Sequence, residues 1–408
     1  MTKKTPLMLI VLCIAVFNTF KTEAQTATWT LLTSGTTLNL LGVSAISDDT
    51  CFVSGASGKI MKTTDGGLTW VSQTSSTSQI LYGLDFYNST NGFAVGDNGA
   101  LVKTTNGGTT WTPVSITSES LRSVRFTNTT TGFITGNNGL ILKTINGGST
   151  WSTTSTGTSS AIYSTWFTSS TMGYAGCFDG TILQTTDGGN NWMPTTTGVS
   201  TQLNTICFTS ATTGVVVGAS GVVRRTTNSG ATWSTVVMTS TPDFLHSQTF
   251  VNSNYGFITG GNIGANTGLI ISTTDGGLNW TSYLPGTPRL GNVDFSSANT
   301  GYAVGLNGTI LKCATNVGIL ENENTNVETL SAYPNPFTNS TTIDISKFKI
   351  NGDISCELFD ISGKLVEKTT SVQQDKIIIE KKSLSTGTYF FKITDSKKLI
   401  GTGKIIIE

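Results

Sequence analysis

Runs of four to six apolar or small residues recur along most of the chain, each bounded by clusters of Gly, Asn, Asp, Ser or Thr. Residues 82–111 show one full unit. The pattern there predicts strands over 82–86, 92–95 and 100–103, with turns at NSTN (88–91) and GDNG (96–99). After TTNGG (104–108), a fourth strand opens at Trp111. Four short strands joined by tight turns make one antiparallel meander. The second strand of the unit recurs as CFVSG (51–55), GFAVG (92–96), GFITG (132–136), GYAGC (173–177), GVVVG (214–218), GFITG (256–260) and GYAVG (301–305). An eight-residue box precedes the fourth strand six times: TTDGGLTW (63–70), TTNGGTTW (104–111), TINGGSTW (144–151), TTDGGNNW (185–192), TTNSGATW (226–233) and TTDGGLNW (273–280). Its tryptophans step by 41, 40, 41, 41 and 47 residues. A period of roughly 40 residues filled by four strands predicts an all-β chain folded as a β-propeller, here of seven blades.

Six boxes for seven blades leave one outer strand missing. The seventh unit stops at LKCATN (311–316), while Trp29 in TWTLL (28–32) stands 41 residues before Trp70 with no unit ahead of it. The N-terminal strand is therefore expected to complete the last blade and close the ring, which removes an open edge.

The box has a mechanical reading. Asp or Asn before Gly-Gly suits a tight turn, because the side chain accepts backbone N–H groups and glycine supplies positive φ. The Trp that follows is expected to fold its ring under the turn and bury about 150–250 Å². The structural set is Asp65/Trp70, Asn106/Trp111, Asn146/Trp151, Asp187/Trp192, Asn228/Trp233 and Asp275/Trp280. Three boxes carry Asn, which a ligating or catalytic carboxylate would not tolerate. No metal or cofactor site is expected from them.

These boxes resemble the Asp-box, or bacterial neuraminidase, repeat. The wider unit GFxVGxxGxxxKTTNGGxTW is similar to that of seven-bladed propellers related to photosystem II assembly factors. The resemblance covers about residues 25–316 and implies a fold. Sialidases built on such boxes also use three arginines, a Tyr/Glu pair and an acid. The propeller region holds only Arg122, Arg125, Arg224, Arg225 and Arg289, without such a motif. Photosystem assembly implies a photosynthetic compartment, and both ends of this chain point elsewhere.

Residues 1–24 begin with Lys3 and Lys4, continue through an apolar run over 7–17 and end in Thr22-Glu23-Ala24, the form of a cleaved secretory signal. That run is too short to span a bilayer, and no later segment is long enough. Residues 317–330 read as a polar linker. Beyond it lysine becomes frequent, with eleven in 331–408 against five in 25–316. Strand patterns at 341–345, 354–359, Lys376–Glu380, 388–394 and 404–407 predict a small antiparallel, immunoglobulin-like β-sandwich. Its AYPNPF (332–337), ELFDISGKLVEK (357–368) and LSTGTYFFKI (384–393) resemble the type-A C-terminal sorting domain of the type IX secretion system. The motif residues are Tyr333, Pro334, Asn335, Pro336, Gly363, Gly387 and Tyr389. The resemblance implies the secretion machinery as partner of 331–408, passage through the periplasm and outer membrane, and a secreted or surface location.

Charge and cysteine content narrow the function classes. Residues 25–316 hold ten Lys+Arg and eleven Asp+Glu, with no basic stripe for nucleic acid. Cys51, Cys177, Cys207, Cys313 and Cys356 lack metal or framework spacing and read as buried thiols, with a Cys51–Cys313 bridge between first and last blades as the alternative. His246 is the single histidine, which leaves little for a His-pair metal site or a Ser-His-Asp triad.

Specificity must lie in what differs between repeats. Aligning the innermost strands on Phe86, Phe126, Phe167, Phe208, Phe250 and Phe295 places Tyr82, Arg122, Tyr163, Asn204, His246 and Gly291 four residues earlier. Such residues are expected to ring the channel mouth, where aromatic faces stack and polar groups orient a ligand. Alternation along LRSVRF sends Arg122 and Arg125 to opposite sides. Arg224 and Arg225 are expected at a solvated outer edge, and Trp166 between blades. The second-to-third turn swells in the sixth unit to GGNIGANTG (260–268), which offers Asn262 and Asn266 on the binding face. Three functions follow. One is a recognition module for a glycan or protein. Another is an Asp-box hydrolase using Asp97 and Asp179. The third is a structural or adhesive surface protein without a ligand pocket.

Overall fold

A computed structural model of the chain describes residues 27–237, 244–315, 328–348, 353–360, 365–372, 375–382, 384–395 and 398–408. The expected signal (1–24), Gly363 and most of the linker lie outside them. The chain divides into two compact units, one up to Val317 and the other from Gly318.

The first unit contains seven four-stranded sheets. Their innermost strands are Leu40–Ala45, Leu81–Phe86, Leu121–Phe126, Ile162–Phe167, Leu203–Phe208, Phe244–Phe250 and Leu290–Phe295, here blades 1 to 7. Each blade is an antiparallel meander, as in blade 2, where Leu81–Phe86 pairs with Gly92–Gly96, then Leu101–Thr104, then Thr112–Pro113. Blade 7 takes its outer strand from the other end of the unit. Ala27–Leu32 pairs with Ile310–Thr315 in the register Trp29↔Cys313, so the N-terminal strand closes the ring.

The box tryptophans join blades together. Phe52 of blade 1 stacks on Phe86 of blade 2 with ring centroids 4.2 Å apart. Trp111, from the box of blade 2, meets both rings edge-on. Blades 2–3 repeat the joint with Phe93, Phe126 and Trp151, and blades 3–4 with Phe133, Phe167 and Trp192. Between blades 4 and 5, Tyr174 takes the place of the first Phe and stacks on Phe208, which Trp233 meets edge-on at 6.1 Å. Trp29 meets Phe257 and Phe295 in the same way across blades 6–7. The ring thus reaches past its own turn into contact with two blades, worth about 0.5–1.5 kcal/mol per aromatic pair beyond area burial.

The rings also lie against their own turns, as Trp70, Trp233 and Trp280 do beside Gly67, Gly230 and Gly277, but they are not equally covered. Trp111, Trp192 and Trp280 are buried, but Trp70, Trp151 and Trp233 are only half-buried. The backbone of Trp111 accepts from Ser76 Oγ (3.4 Å) and that of Trp192 donates to Ser155 O (3.0 Å), both of the preceding blade. Trp280 instead donates its indole N–H to Gly277 O in its own turn (3.2 Å). The indole nitrogens of Trp70, Trp151 and Trp233 are buried with no hydrogen-bond partner among the described residues, as are those of Trp111 and Trp192. The Trp233 box also departs in its turn, where Ser229 takes the positive φ (+57°) that glycine supplies elsewhere.

A second clasp links the blades. Lys62 Nζ donates to Gly107 O (2.9 Å), Arg225 Nε to Gly276 O (2.9 Å) and Lys312 Nζ to Gly66 O (2.8 Å). In each case the third strand of one blade reaches the box of the next. Arg225 is therefore a half-buried joint rather than a solvated edge. It immediately precedes the buried box Thr226, so strand alternation turns it away from its own box and towards the neighbouring blade.

Within the box, Thr63 Oγ1 donates to Asp65 Oδ1 (2.8 Å) and accepts from Gly67 N (2.8 Å). Asp and Asn boxes differ in one detail. Asp187 and Asp275 accept from the side-chain amides of Asn191 and Asn279, and Asp65 accepts from the Thr69 hydroxyl. The amides of Asn106, Asn146 and Asn228 instead donate to Thr110, Thr150 and Thr232. The residue four positions on always supplies the complementary group. These bonds hold the Asp65 carboxyl down at about 2, first through the Thr69 hydroxyl and amide.

All five described cysteines are free and buried, so no Cys51–Cys313 bridge forms.

The second unit is a β-sandwich of a five-stranded and a three-stranded sheet over a core that includes Ile343, Ile354, Phe391 and Ile405. It is not wholly antiparallel. Glu328–Thr329 runs parallel to Gly401–Thr402, and Leu330 beside it is buried in the core. Ala332–Tyr333 and Leu365–Val372 are further strands that the sequence pattern did not mark. The latter carries LVEKTTSV, mostly polar, as suits an edge strand with one solvated face. In the sorting motif, Tyr333 is exposed, Asn335 Oδ1 accepts from Ile406 N (2.7 Å) and Tyr389 donates to Ser385 O (2.9 Å).

Candidate functional site: the central channel

The seven innermost strands enclose a channel of about 390 Å³. Its two ends are chemically distinct. The second-to-third turns share the upper face with the segments entering each inner strand, as Asp97 N→Ile80 O and Asn137 N→Ser120 O show. The boxes share the lower face with the first-to-second turns, as Gly66 N→Asp49 O and Gly107 N→Thr90 O show.

Every inner strand carries a register shift after its first or second residue, between Leu121 and Ser123 in blade 3 and at the equivalent place in the other six. This β-bulge overturns the expectation from simple alternation. Arg122 and Arg125 stand three residues apart and would face opposite ways on a regular strand. The extra residue reverses the parity, and both line the channel.

Near the upper mouth the lining residues are Leu41, Tyr82, Arg122, Tyr163, Asn204, His246 and Gly291. Arg122 is held between two rings, its guanidinium carbon 4.9 Å from the Tyr82 centroid and 5.7 Å from that of Tyr163. Its Nε donates to Asn137 Oδ1 (2.9 Å). Tyr82 is fixed by its hydroxyl, which donates to Asp97 Oδ2 (2.9 Å). Burial and this carboxylate together push the Tyr82 phenol up. Phe178, exposed at the blade 4 turn, stacks beside Tyr163 at 6.4 Å. Ion pairs among the described residues occur only in the second unit. No described carboxylate therefore pairs with the Nη1 and Nη2 donors of Arg122.

The other candidates are used differently. Asn204 is buried, and its amide donates to Leu245 O of blade 6 (2.6 Å), so it ties blades rather than facing a ligand. His246 lies against Phe244, with ring centroids 4.5 Å apart. Burial and then the nearby Arg289 charge bring its pKa down to about 4, so the imidazole is neutral at physiological pH. Asp179 Oδ1 accepts from Thr181 N (3.0 Å), closing its own turn. The blade 6 insertion extends a hairpin, Gly256–Asn262 with Thr267–Thr273, instead of covering the channel. At its tip Asn262 Oδ1 accepts from Ala265 N (2.6 Å), and Asn266 has φ +51°. Asp179, Asn262 and Asn266 are not brought to the channel.

The lower end holds channel residues that sequence alignment passed over: Asp85, Arg125, Trp166, Thr249 and Asp294, with buried Ser44 and Cys207 at the equivalent positions of blades 1 and 5. Asp85 Oδ2 accepts from Phe126 N (2.7 Å) and Asp294 Oδ2 from Ala45 N (2.8 Å), so each carboxylate reaches the next blade. Burial raises both, Asp294 to about 6, against the pull of those amides and of Arg125. Arg125 lies on Trp166, 4.3 Å from the ring centroid. Trp166 is thus a channel residue that also packs between blades. Six of them stand one before the aligned phenylalanines, and Ser44 stands one before Ala45. Their variation among Ser, Asp, Arg, Trp, Cys and Thr at a repeated position was the available signal.

Fold and boxes together define a class: a seven-bladed propeller of Asp-box repeats followed by a sorting domain. Residues 71–159 and 149–282, together more than half of the chain, match the photosynthesis system II assembly factor YCF48 family, and the chain belongs to it. Residues 331–408 match the secretion system C-terminal sorting domain, which marks the protein for export to the cell surface or beyond. No curated protein matches the chain. Among solved structures, YCF48 bound to D1 peptide superposes with a TM-score of 0.59 at 21% identity, covering 70% of this chain and 97% of that one. YCF48 from Cyanidioschyzon merolae gives 0.58 at 18%, covering 70% and 98%. The GH74 enzyme of Niastella koreensis gives 0.57 at 18%, covering 78% and 59%. At these identities the likeness speaks for the fold alone.

Proposed function

We propose that this protein is an exported recognition propeller whose upper channel mouth takes a carboxylate-bearing segment of a partner protein. One observation supports it above all: Arg122 is pinned between Tyr82 and Tyr163 with its terminal donors free of any described carboxylate. Aromatic stacking covers the faces of a guanidinium and leaves its edge, the part that binds a carboxylate through two parallel hydrogen bonds. Asp97 and Asn137 hold the assembly in place before any ligand arrives, which lowers the ordering cost of binding. A propeller of similar fold has been solved with a peptide, in YCF48 bound to D1 peptide. In this reading residues 1–24 direct the chain to the periplasm and 331–408 carry it outward.

The hydrolase reading draws on the GH74 neighbours. It finds less support, because Asp97 and Asp179 serve Tyr82 and a turn.

An array of acidic peptides, with Gln-for-Glu counterparts and oligosaccharides alongside, tests the proposal on the full chain. Saturable binding to acidic peptides that falls at least tenfold in Arg122→Lys is expected, since lysine keeps the charge but lacks the planar fork. Binding to oligosaccharides alone, or no binding by a folded protein, would refute it. The second outcome would favour a structural surface role.

A further inference from the structure

The lower end of the channel carries a second guanidinium that the upper-mouth reading leaves unused. Arg125 is exposed yet held against Trp166 at 4.3 Å. It lines both the channel and a second cavity of about 170 Å³, whose other walls are Phe126, Thr127, Thr165, Trp166 and Phe167. Among the described residues its nitrogens donate no hydrogen bond, and no carboxylate lies within 4 Å of them. Asp85, whose Oδ2 accepts the amide of Phe126 next to Arg125, and Asp294 of blade 7 both attract it, and each has given one oxygen to a backbone amide of the neighbouring blade. Like Arg122, Arg125 is a guanidinium oriented by an aromatic face with no described carboxylate paired to it. The two arginines stand three residues apart on one strand, and the bulge at Arg122 brings them closer than the roughly 10 Å of a regular strand and onto one face.

We infer that Arg125 on Trp166 forms a second carboxylate subsite at the lower mouth, so that the partner segment presents two acidic side chains on one face about 7 Å apart, the i to i+2 spacing of an extended peptide. This rests on the reading of the upper mouth and adds spacing to it.

The lower ring also restricts which anion fits. Asp85 and Asp294 face the site and oppose an added negative charge. Cys207 does not, because burial pushes its thiol up to about 12. Arg122, Arg289 and neutral His246 stand at the opposite end. A polyuronate would bring a carboxylate past both aspartates with every sugar, whereas a peptide places acids only where its sequence does. Occupancy of the lower subsite therefore strengthens as pH falls through the range in which Asp294 takes up its proton.

Isothermal titration of the full chain with acetyl-Glu-Ala-Glu-amide and acetyl-Glu-Ala-Gln-amide tests this. The first peptide is expected to bind about tenfold more tightly, the size of one charge-assisted contact, and the ratio should grow from about pH 7.5 to about pH 5.5. The ratio should collapse towards one in Arg125→Gln and persist in Arg224→Gln, which lies away from the channel. In Asp294→Asn the first peptide should bind more tightly at about pH 7.5 than it does to the wild type, a gain that damage to the fold would not produce. Equal affinities for the two peptides, with loss of both in Arg122→Lys, would sink the second subsite and leave the upper mouth standing. No binding of either peptide would overturn both readings. Preference for oligogalacturonate over both would overturn the peptide assignment.

Discussion

Replacing Asp294 by Asn should stabilise the propeller at neutral pH and leave it almost unchanged in acid. Asp294 belongs to blade 7, and its Oδ2 accepts the Ala45 amide of blade 1 at the joint where the ring closes. Burial lifts its pKa to about 6, and the charge of Asp85 adds to the rise. The unfolded group titrates near 3.8. A folded pKa above the unfolded one means that the neutral acid favours the native state. That contribution is complete at low pH and is lost as pH rises from about 4 through about 6. A shift of about two units, at 1.36 kcal/mol each, sets a ceiling of about 3 kcal/mol. The channel is open to water, so a gain of about 1–3 kcal/mol at about pH 7.5 is the expected range. Asn keeps a carbonyl oxygen for the Ala45 amide and carries no charge at any pH. Urea denaturation followed by tryptophan emission reads the propeller alone, because all eight tryptophans fall between Trp29 and Trp280. Parallel wild-type and variant stability curves between about pH 4.5 and 7.5, or a variant less stable at neutral pH, would refute the reasoning.

Other consequences follow from the joints. Trp111→Ala removes the edge-on partner of Phe52 and Phe86 and should cost about 3–5 kcal/mol in the same urea assay. Asp65→Asn should leave the urea midpoint unchanged, because its amide can donate to Thr69 as the amide of Asn106 does to Thr110. Lys312→Met breaks the 2.8 Å bond to Gly66 O across the closing seam and should lower stability by about 1–2 kcal/mol, measured as a shift in urea midpoint. Peptide mapping without reduction should recover Cys51 and Cys313 as unlinked thiols.

The architecture was legible because a propeller repeats its instructions. Seven copies of the second strand and six boxes set blade number, strand order and the closing role of Trp29 without any long-range inference. The box itself was less uniform than its letters. Trp192 and Trp233 occupy the same place in the repeat, yet one is buried and the other half-buried. Position along one inner strand was harder still to read. Alternation alone separated Arg122 from Arg125, and only the bulge that each blade inserts near the same residue brings them to one surface. Polarity by itself also misled. Asn204, Asp179 and Asn262 look like free polar groups in sequence, but each satisfies a backbone group in its own turn or on the adjacent blade. Arg225 looked solvated because the carbonyl it binds lies 51 residues away in the next box. In the second unit, Glu328–Thr329 gave no hydrophobic signal, since a two-residue parallel edge needs only backbone partners.

The central claim is that the boxes are scaffold and the channel arginines carry recognition. Its most direct test compares Arg122→Lys with Asp65→Asn in one titration of the full chain against an acidic peptide bound by the wild type. The account predicts at least a tenfold loss for Arg122→Lys and unchanged affinity for Asp65→Asn, with both variants folded. Retained binding in Arg122→Lys together with loss in Asp65→Asn would place recognition in the boxes and contradict it.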